Sequence, residues 1–189
     1  DIAKFNNVQM ARKIQLNSAY GAIGNQYFRY YNLANAEAIT LSGQVAIRWI
    51  ENKVNDYLNK VLKTEGTDYV IASDTDSIYL NLGPLVQAVF PSGEKDDKST
   101  LGFLKKVCDV ELDRYIESAY EEMATYVNAY DQKMVMKREN IANKGIWTAK
   151  KRYILNVWNS EGVQYDKPKL KMMGIEAVKS STPAPCRTA

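Results

Sequence analysis

The sequence predicts an α+β fold in which an antiparallel sheet is backed by helices. Three observations carry that prediction. Long segments in the first two thirds of the chain repeat apolar residues at helical spacing. At 69–80 an apolar run, a short polar turn and a second apolar run read as a hairpin. Three further strand-like runs follow in the last third, so the order is helix, helix, hairpin, helix, three strands.

The first helix spans Ile2 to Tyr20, with Ile2, Phe5, Val8 or Gln9 and Arg12 in register, and Gly21 and Gly24 stop it. A tyrosine-rich run, Tyr27-Phe28-Arg29-Tyr30-Tyr31, leads to Asn32, which is placed to cap a second helix. That helix carries Ile39, Gly43, Ala46 or Ile47, Ile50, Val54, Leu58 and Val61 on one side and ends near Gly66. The hairpin pairs Tyr69–Ala72 with Ile78–Leu80, and Pro91 to Thr100 is a charged surface loop. A third helix runs from Leu101 to Asn128, burying Leu104, Cys108, Leu112, Tyr115, Ala119, Met123 and Tyr126, which makes Cys108 a core residue. Strands are expected at Met134–Arg138, Arg152–Trp158 and around Leu170–Ile175. The chain opens inside a helical pattern and closes on the linker-like Ser180-Ser181-Thr182-Pro183-Ala184-Pro185, so both ends read as cut from something longer.

At 189 residues, with 46% apolar and 25% charged, the composition is that of an ordinary globular chain. Such a length buries roughly 70% of the unfolded surface, so no staples are needed. No run of about 18 apolar residues offers a membrane span, and no basic-apolar leader points to secretion. Two cysteines, Cys108 and Cys186, are too few for a disulfide framework or a zinc site. With no histidine at all, Ser-His-Asp and Cys-His mechanisms and His-ligated metals fall away. Enzyme chemistry on this chain runs on carboxylates, lysines and metals.

The net charge of +3 hides a polarisation. Residues 65–122 hold thirteen acidic against five basic side chains, a local charge of −8, whereas residues 140–189 hold nine basic against three acidic, a local charge of +6. Such a split suits one surface for a polyanion and another for cations.

Three motifs carry chemistry. Asp74-Thr75-Asp76-Ser77 lies at the hairpin tip; two carboxylates at i and i+2 on a strand share a face and repel unless a cation neutralises them. Mg²⁺ fits, being hard and commonly held by one or two carboxylates plus substrate phosphates; a plain polar turn is the competing explanation. On the first helix Lys13, Asn17, Tyr20 and Gly24 recur at spacings of four, three and four. An ammonium, an amide and a ring on one face, closed by Gly21, suit a phosphorylated base, and an ordinary solvated face competes with that. Lys150-Lys151-Arg152-Tyr153 opens the strand that ends at Trp158; consecutive cations beside an aromatic ring suit a nucleic-acid backbone, or simply protect a sheet edge. Glu139, in the strand before it, is placed to add a third carboxylate beside the acidic hairpin.

Taken together these motifs resemble family B DNA polymerases. Lys13-Ile14-Gln15-Leu16-Asn17-Ser18-Ala19-Tyr20-Gly21 resembles their motif B, Asp74-Thr75-Asp76-Ser77 their motif C, and Lys150-Lys151-Arg152-Tyr153 their KKRY element. Tyr27–Tyr31 and Lys179-Ser180-Ser181-Thr182-Pro183 are similar to replicative polymerases of myovirus-type tailed phages. The resemblance implies a polymerase palm preceded by the C-terminal half of the fingers hairpin: residues 1–29 as second fingers helix and linker, 30–177 as palm, 178–189 as entry to the thumb. It implies that Lys13 contacts the triphosphate and that Asn17, Tyr20 and Gly21 line the nascent base pair. Asp76 would bind both catalytic Mg²⁺ ions, with Asp74 an auxiliary ligand and Glu139 a further acid. Lys150, Lys151, Arg152 and Tyr153 would hold DNA. Primer–template DNA and dNTP are the implied partners, with a sliding clamp for the full-length protein and no membrane, in the cytoplasm of the infected bacterial host.

Two departures stand out: Ser73 replaces a common glycine, and the stretch Glu139–Lys150 is shorter than the relatives' glycine-containing loop. No segment before Lys13 matches motif A, the family's other aspartate source, so the expectation is a polymerase piece that is inactive alone. One subunit of a split polymerase and a metal-dependent nuclease using Asp74, Asp76 and Glu139 are the alternatives.

Overall fold

A computed structural model describes residues 2–91 and 97–185. Cys186 lies outside them. The chain divides into two compact units, residues 1–48 and 49–189, each treated by itself below.

In the first unit α1 (Ile2–Ile23) outruns its expected stop: Gly21 stays helical and the turn comes at Gly24. The helix has no buried residue, and Ile2, Phe5, Ile14 and Leu16 are exposed. Asn32 caps α2 (Leu33–Leu62) as expected, its side-chain oxygen accepting the Asn35 N–H at 3.0 Å. α2 runs on into the second unit, where Ile50, Val54 and Leu58 are almost fully buried.

The second unit is mixed helix and antiparallel sheet. β1 (Val70–Asp74) and β2 (Ser77–Leu80) form a two-stranded hairpin, and β3 (Asn140–Ala149), β4 (Arg152–Ser160) and β5 (Val163–Met173) form a three-stranded meander. Between them lie α3 (Gly83–Val89) and α4 (Asp97–Lys106), then a π-helical segment (Val107–Leu112) continuing into α5 (Asp113–Tyr126). The backbone stays right-handed helical at both junctions, Lys106 and Asp113.

Leu112, Ala119 and Met123 are buried on the expected stripe, joined by Leu101, Ile116 and Tyr120; Leu104, Cys108 and Tyr115 are half-buried, and Tyr126, at the helix end, is exposed. Cys108 is half-buried, and burial pushes its thiol up to about 11, away from the reactive thiolate. α2 packs on α5 through Trp49, whose indole N–H donates to the Ala119 carbonyl at 2.9 Å, and through Tyr57 stacked on Tyr115 at 4.4 Å.

Two strand expectations change. Met134–Arg138 is irregular and pairs with no strand among the described residues, while Asn140–Ala149, where no strand was expected, is β3. Within the first, the Arg138 guanidinium donates to Asp109 in the π-helical segment at 2.7 and 3.2 Å and to the buried Asn159 of β4 at 2.7 Å, cross-linking helix and sheet through side chains. β5 also starts earlier than expected, at Val163.

Candidate nucleotide and metal site

The acidic hairpin is set from behind by amides on α2. Asn55 accepts the N–H groups of Tyr69 and Val70 at 2.9 and 3.1 Å and donates to Asp68 at 2.8 Å. One turn later Asn59 accepts from Thr67 N–H and donates to its carbonyl. These two side chains give the entry to β1 a partner that no neighbouring strand supplies.

At the tip Asp74 pairs with Ser77, leaving Thr75 and Asp76 as a two-residue turn with Thr75 left-handed at φ 54°. Asp76 therefore lies beyond the strand, and strand alternation does not set its direction. The Asp76 N–H donates to the Asp74 carbonyl at 2.6 Å, the Thr75 hydroxyl donates to the Asp74 carboxylate at 3.0 Å, and the Ser77 hydroxyl donates to the Asp74 carbonyl at 3.1 Å. Asp74 is half-buried and Asp76 exposed. Among the described residues no ion pair involves either carboxylate.

Hard oxygen donors left without a basic partner fit a divalent cation. They fit it only as a partial shell, because no group of three or more His, Cys, Asp or Glu side chains able to hold a metal occurs among the described residues. Glu139 sits just before β3, not within a strand, and its carboxylate lies 3.8 Å from Lys171.

The hairpin meets the three-stranded sheet through aromatic rings. Tyr79 of β2 packs edge-on against Trp147 of β3 at 5.4 Å and against Tyr153 of β4 at 5.5 Å. Tyr153, Leu155 and Val157 are the buried face of β4, and Trp147 lies over Gly145, where a Cβ would meet ring carbons at 2.8 Å. Burial first, then a hydrogen bond with Tyr79 and the negative charges of Glu139 and Asp74, hold the Tyr153 phenol far above its ordinary value. Tyr153 thus lies within electrostatic reach of both acids and stays a neutral hydrogen-bonding group at any physiological pH.

Of the KKRY element only Arg152 and Tyr153 are strand. Lys150 and Lys151 form the tight β3–β4 turn, both exposed, with Lys151 left-handed at φ 61°. Gly174, itself at φ 64°, backs that turn so closely that a Cβ would lie 2.3 Å from the Lys151 carbonyl oxygen. Arg152 pairs with Glu176.

In the first unit Lys13, Asn17 and Tyr20 lie on α1 with their side chains exposed. The Tyr20 hydroxyl meets the Thr40 hydroxyl at 2.5 Å, and Tyr20, Gly24, Leu33, Ala36, Glu37 and Thr40 line an open groove of about 500 Å³. A Cβ on Gly21 would touch nothing in the protein, so packing does not require glycine there.

Residues 2–94 match the family model described as DNA polymerase family B. Over 183 residues, 93% of the chain, 48% are identical to the DNA-directed DNA polymerase of Escherichia phage RB69. This is family B DNA polymerase sequence. The DNA-directed DNA polymerase of Enterobacteria phage T4 is 42% identical over 94% of the chain, and the DNA polymerase delta catalytic subunit of Drosophila melanogaster is 33% identical over 40% of it. The chain spans about one fifth of the length of the two phage relatives, 20% and 21%, and 7% of the insect one. Among the described residues no helix is long and apolar enough to cross a membrane.

Sequence reading missed Asn55, Asn59, Tyr79, Trp147, Gly174 and Glu176 as parts of the candidate site. Tyr79 was the most findable, being two residues past Ser77 on the second strand of a hairpin already singled out.

Proposed function

We propose that this chain supplies motifs B and C of a DNA-directed DNA polymerase. Residues 1–29 are the second fingers helix and linker, 30–177 most of the palm, and 178–189 the start of the thumb. The observation that supports this most is the aromatic contact of Tyr79 with Trp147 and Tyr153: it ties two metal-suited carboxylates to an exposed two-lysine turn, as joining a primer end to a nucleotide requires.

Asp74 and Asp76 would hold Mg²⁺, which when bound activates the attacking hydroxyl and neutralises phosphate charge. Lys13 contacts the incoming triphosphate, and Asn17, Tyr20 and Gly21 border the base. Lys150, Lys151 and Arg152 meet backbone phosphates of primer–template DNA, and Tyr153 orients the primer end as a neutral donor. Glu139, balanced by Lys171, adds negative potential near Tyr153.

Two carboxylates carry a charge of −2 against +4 for two ions, so residues 1–189 alone do not complete the centre, and acids from motif A are required. A nuclease built on Asp74, Asp76 and Glu139 is disfavoured because, among the described residues, these three carboxylates do not gather into a metal-holding group. A sliding clamp belongs to the full-length protein, and a separate chain carrying motif A is the partner in a split arrangement.

The test is extension of a labelled primer with Mg²⁺ and dNTPs. Residues 1–189 alone are expected to add nothing; mixed with a polypeptide carrying motif A they add nucleotides, and Asp76→Asn abolishes this. Extension by residues 1–189 alone, or undiminished extension by the variant mixture, overturns the assignment.

A further inference from the structure

Residues 140–189 hold only three acids, Glu161, Asp166 and Glu176, among nine basic residues. Glu176 is placed differently from the other two. It stands in a short 3₁₀ turn (Glu176–Val178) two residues after Gly174, the glycine that backs the Lys150–Lys151 turn, and both of its carboxylate oxygens take a hydrogen bond from Arg152. Lys179 approaches the same carboxylate at 3.5 Å. Two cations from separate segments therefore converge on one anion at the edge of the surface assigned to DNA.

We infer that Glu176 is an internal competitor of DNA phosphate: its carboxylate engages Arg152 and Lys179 in the free protein and must release them when the nucleic-acid backbone arrives. The inference rests on the reading of the KKRY turn as a DNA surface. Three properties fit a group that yields rather than a fixed strut. All three side chains are well exposed, at 38%, 59% and 44%, and exposed ion pairs hold weakly. Among the described residues the Arg152 Nε–H finds no acceptor, so pairing with Glu176 leaves part of the guanidinium's hydrogen-bonding capacity unmet. A phosphate seated at this edge also faces a like charge, which costs affinity until the carboxylate moves away.

The experiment compares the 189-residue chain with its Glu176→Gln variant, binding a fluorescently labelled primer–template duplex by anisotropy across a sodium chloride series. Glutamine keeps the size and one acceptor oxygen and removes the charge. The variant is expected to bind about three- to tenfold more tightly at low salt, with a salt slope steeper by about 0.9 for each phosphate newly neutralised. Equal or weaker binding, with a circular-dichroism melt matching wild type, overturns the inference; weaker binding with a lowered melt overturns it too, since Glu176 is then a strut. A Lys150→Ala/Lys151→Ala variant separates the two readings. If it loses affinity while Glu176→Gln gains none, only the competitor role fails; if duplex binding ignores both lysines, the DNA surface itself is misassigned.

Discussion

Gly145→Ala measures how tightly the aromatic contact between hairpin and sheet is packed. The added methyl would sit 2.8 Å from Leu155 Cδ2 and 2.8 Å from two ring carbons of Trp147. Leucine can swing away, but Trp147 is held between Tyr79 and Tyr153, at 5.4 and 6.4 Å between ring centres. Overpacking a full site costs about 1–3 kcal/mol, against about 0.4–1 kcal/mol recovered because alanine restricts the unfolded chain. The central values, about 2 less about 0.7 kcal/mol, leave a net loss of about 1.3 kcal/mol, a fall of about 3–5 °C in melting midpoint at about 2–4 °C per kcal/mol for a chain of this size. Thermal denaturation followed by circular dichroism reads the midpoint; tryptophan fluorescence adds the ring environment, since Trp49, Trp147 and Trp158 all lie in the second unit. An unchanged or raised midpoint would refute the reasoning, because it would mean that Trp147 does not press on this glycine.

Gly174→Ala combines a left-handed backbone with a methyl 2.3 Å from the Lys151 carbonyl, so it is expected to displace the two-lysine turn and to lower both the melting midpoint and duplex affinity, read by melting and anisotropy. Arg138, chiefly through its hydrogen bond, holds the Asp109 carboxyl below its ordinary 3.8. A lowered carboxyl contributes stability above the unfolded value and loses it as pH falls through the folded one, so urea midpoints of wild type and Asp109→Asn are expected to differ by a constant amount above about pH 5 and to converge in stronger acid. Exposed Ile2, Phe5, Ile14 and Leu16 on α1 predict concentration-dependent association, which light scattering detects and which Phe5→Ser/Leu16→Ser should reduce.

α2, α5 and the acidic hairpin were legible because each writes a period into the sequence; α1 carries no buried stripe, and only its run of helix-compatible residues marked it. β3 was not, since Asn140-Ile141-Ala142-Asn143-Lys144-Gly145 alternates poorly and carries a glycine whose purpose appears only with Trp147 above it. β5 hid for a related reason: Lys167, Pro168, Lys169 and Lys171 look like solvent-facing coil, yet Lys169 and Lys171 stand opposite Val157 and Leu155 in the ladder, and Lys169 rests on the Tyr165 ring at 4.3 Å. The π-helical segment left no mark either, because Val107–Leu112 is unremarkable helix sequence, and the partner of its Asp109, Arg138, lies 29 residues away. Within the candidate site the ionisable residues of the hairpin and the turn could be read directly. Asn55, Asn59 and Glu176 could not, because each acts on backbone or charge that only folding brings near.

Thr75 and Lys151, one in each site turn, both hold left-handed backbone that would suit glycine better. For the β-branched Thr75 the geometry is especially unfavourable. Anyone engineering heat resistance into this protein would reach for glycine at both places and collect easy gains. The same swaps would slacken the two corners that aim a carboxylate and an ammonium, so durability and accuracy of aim pull in opposite directions there.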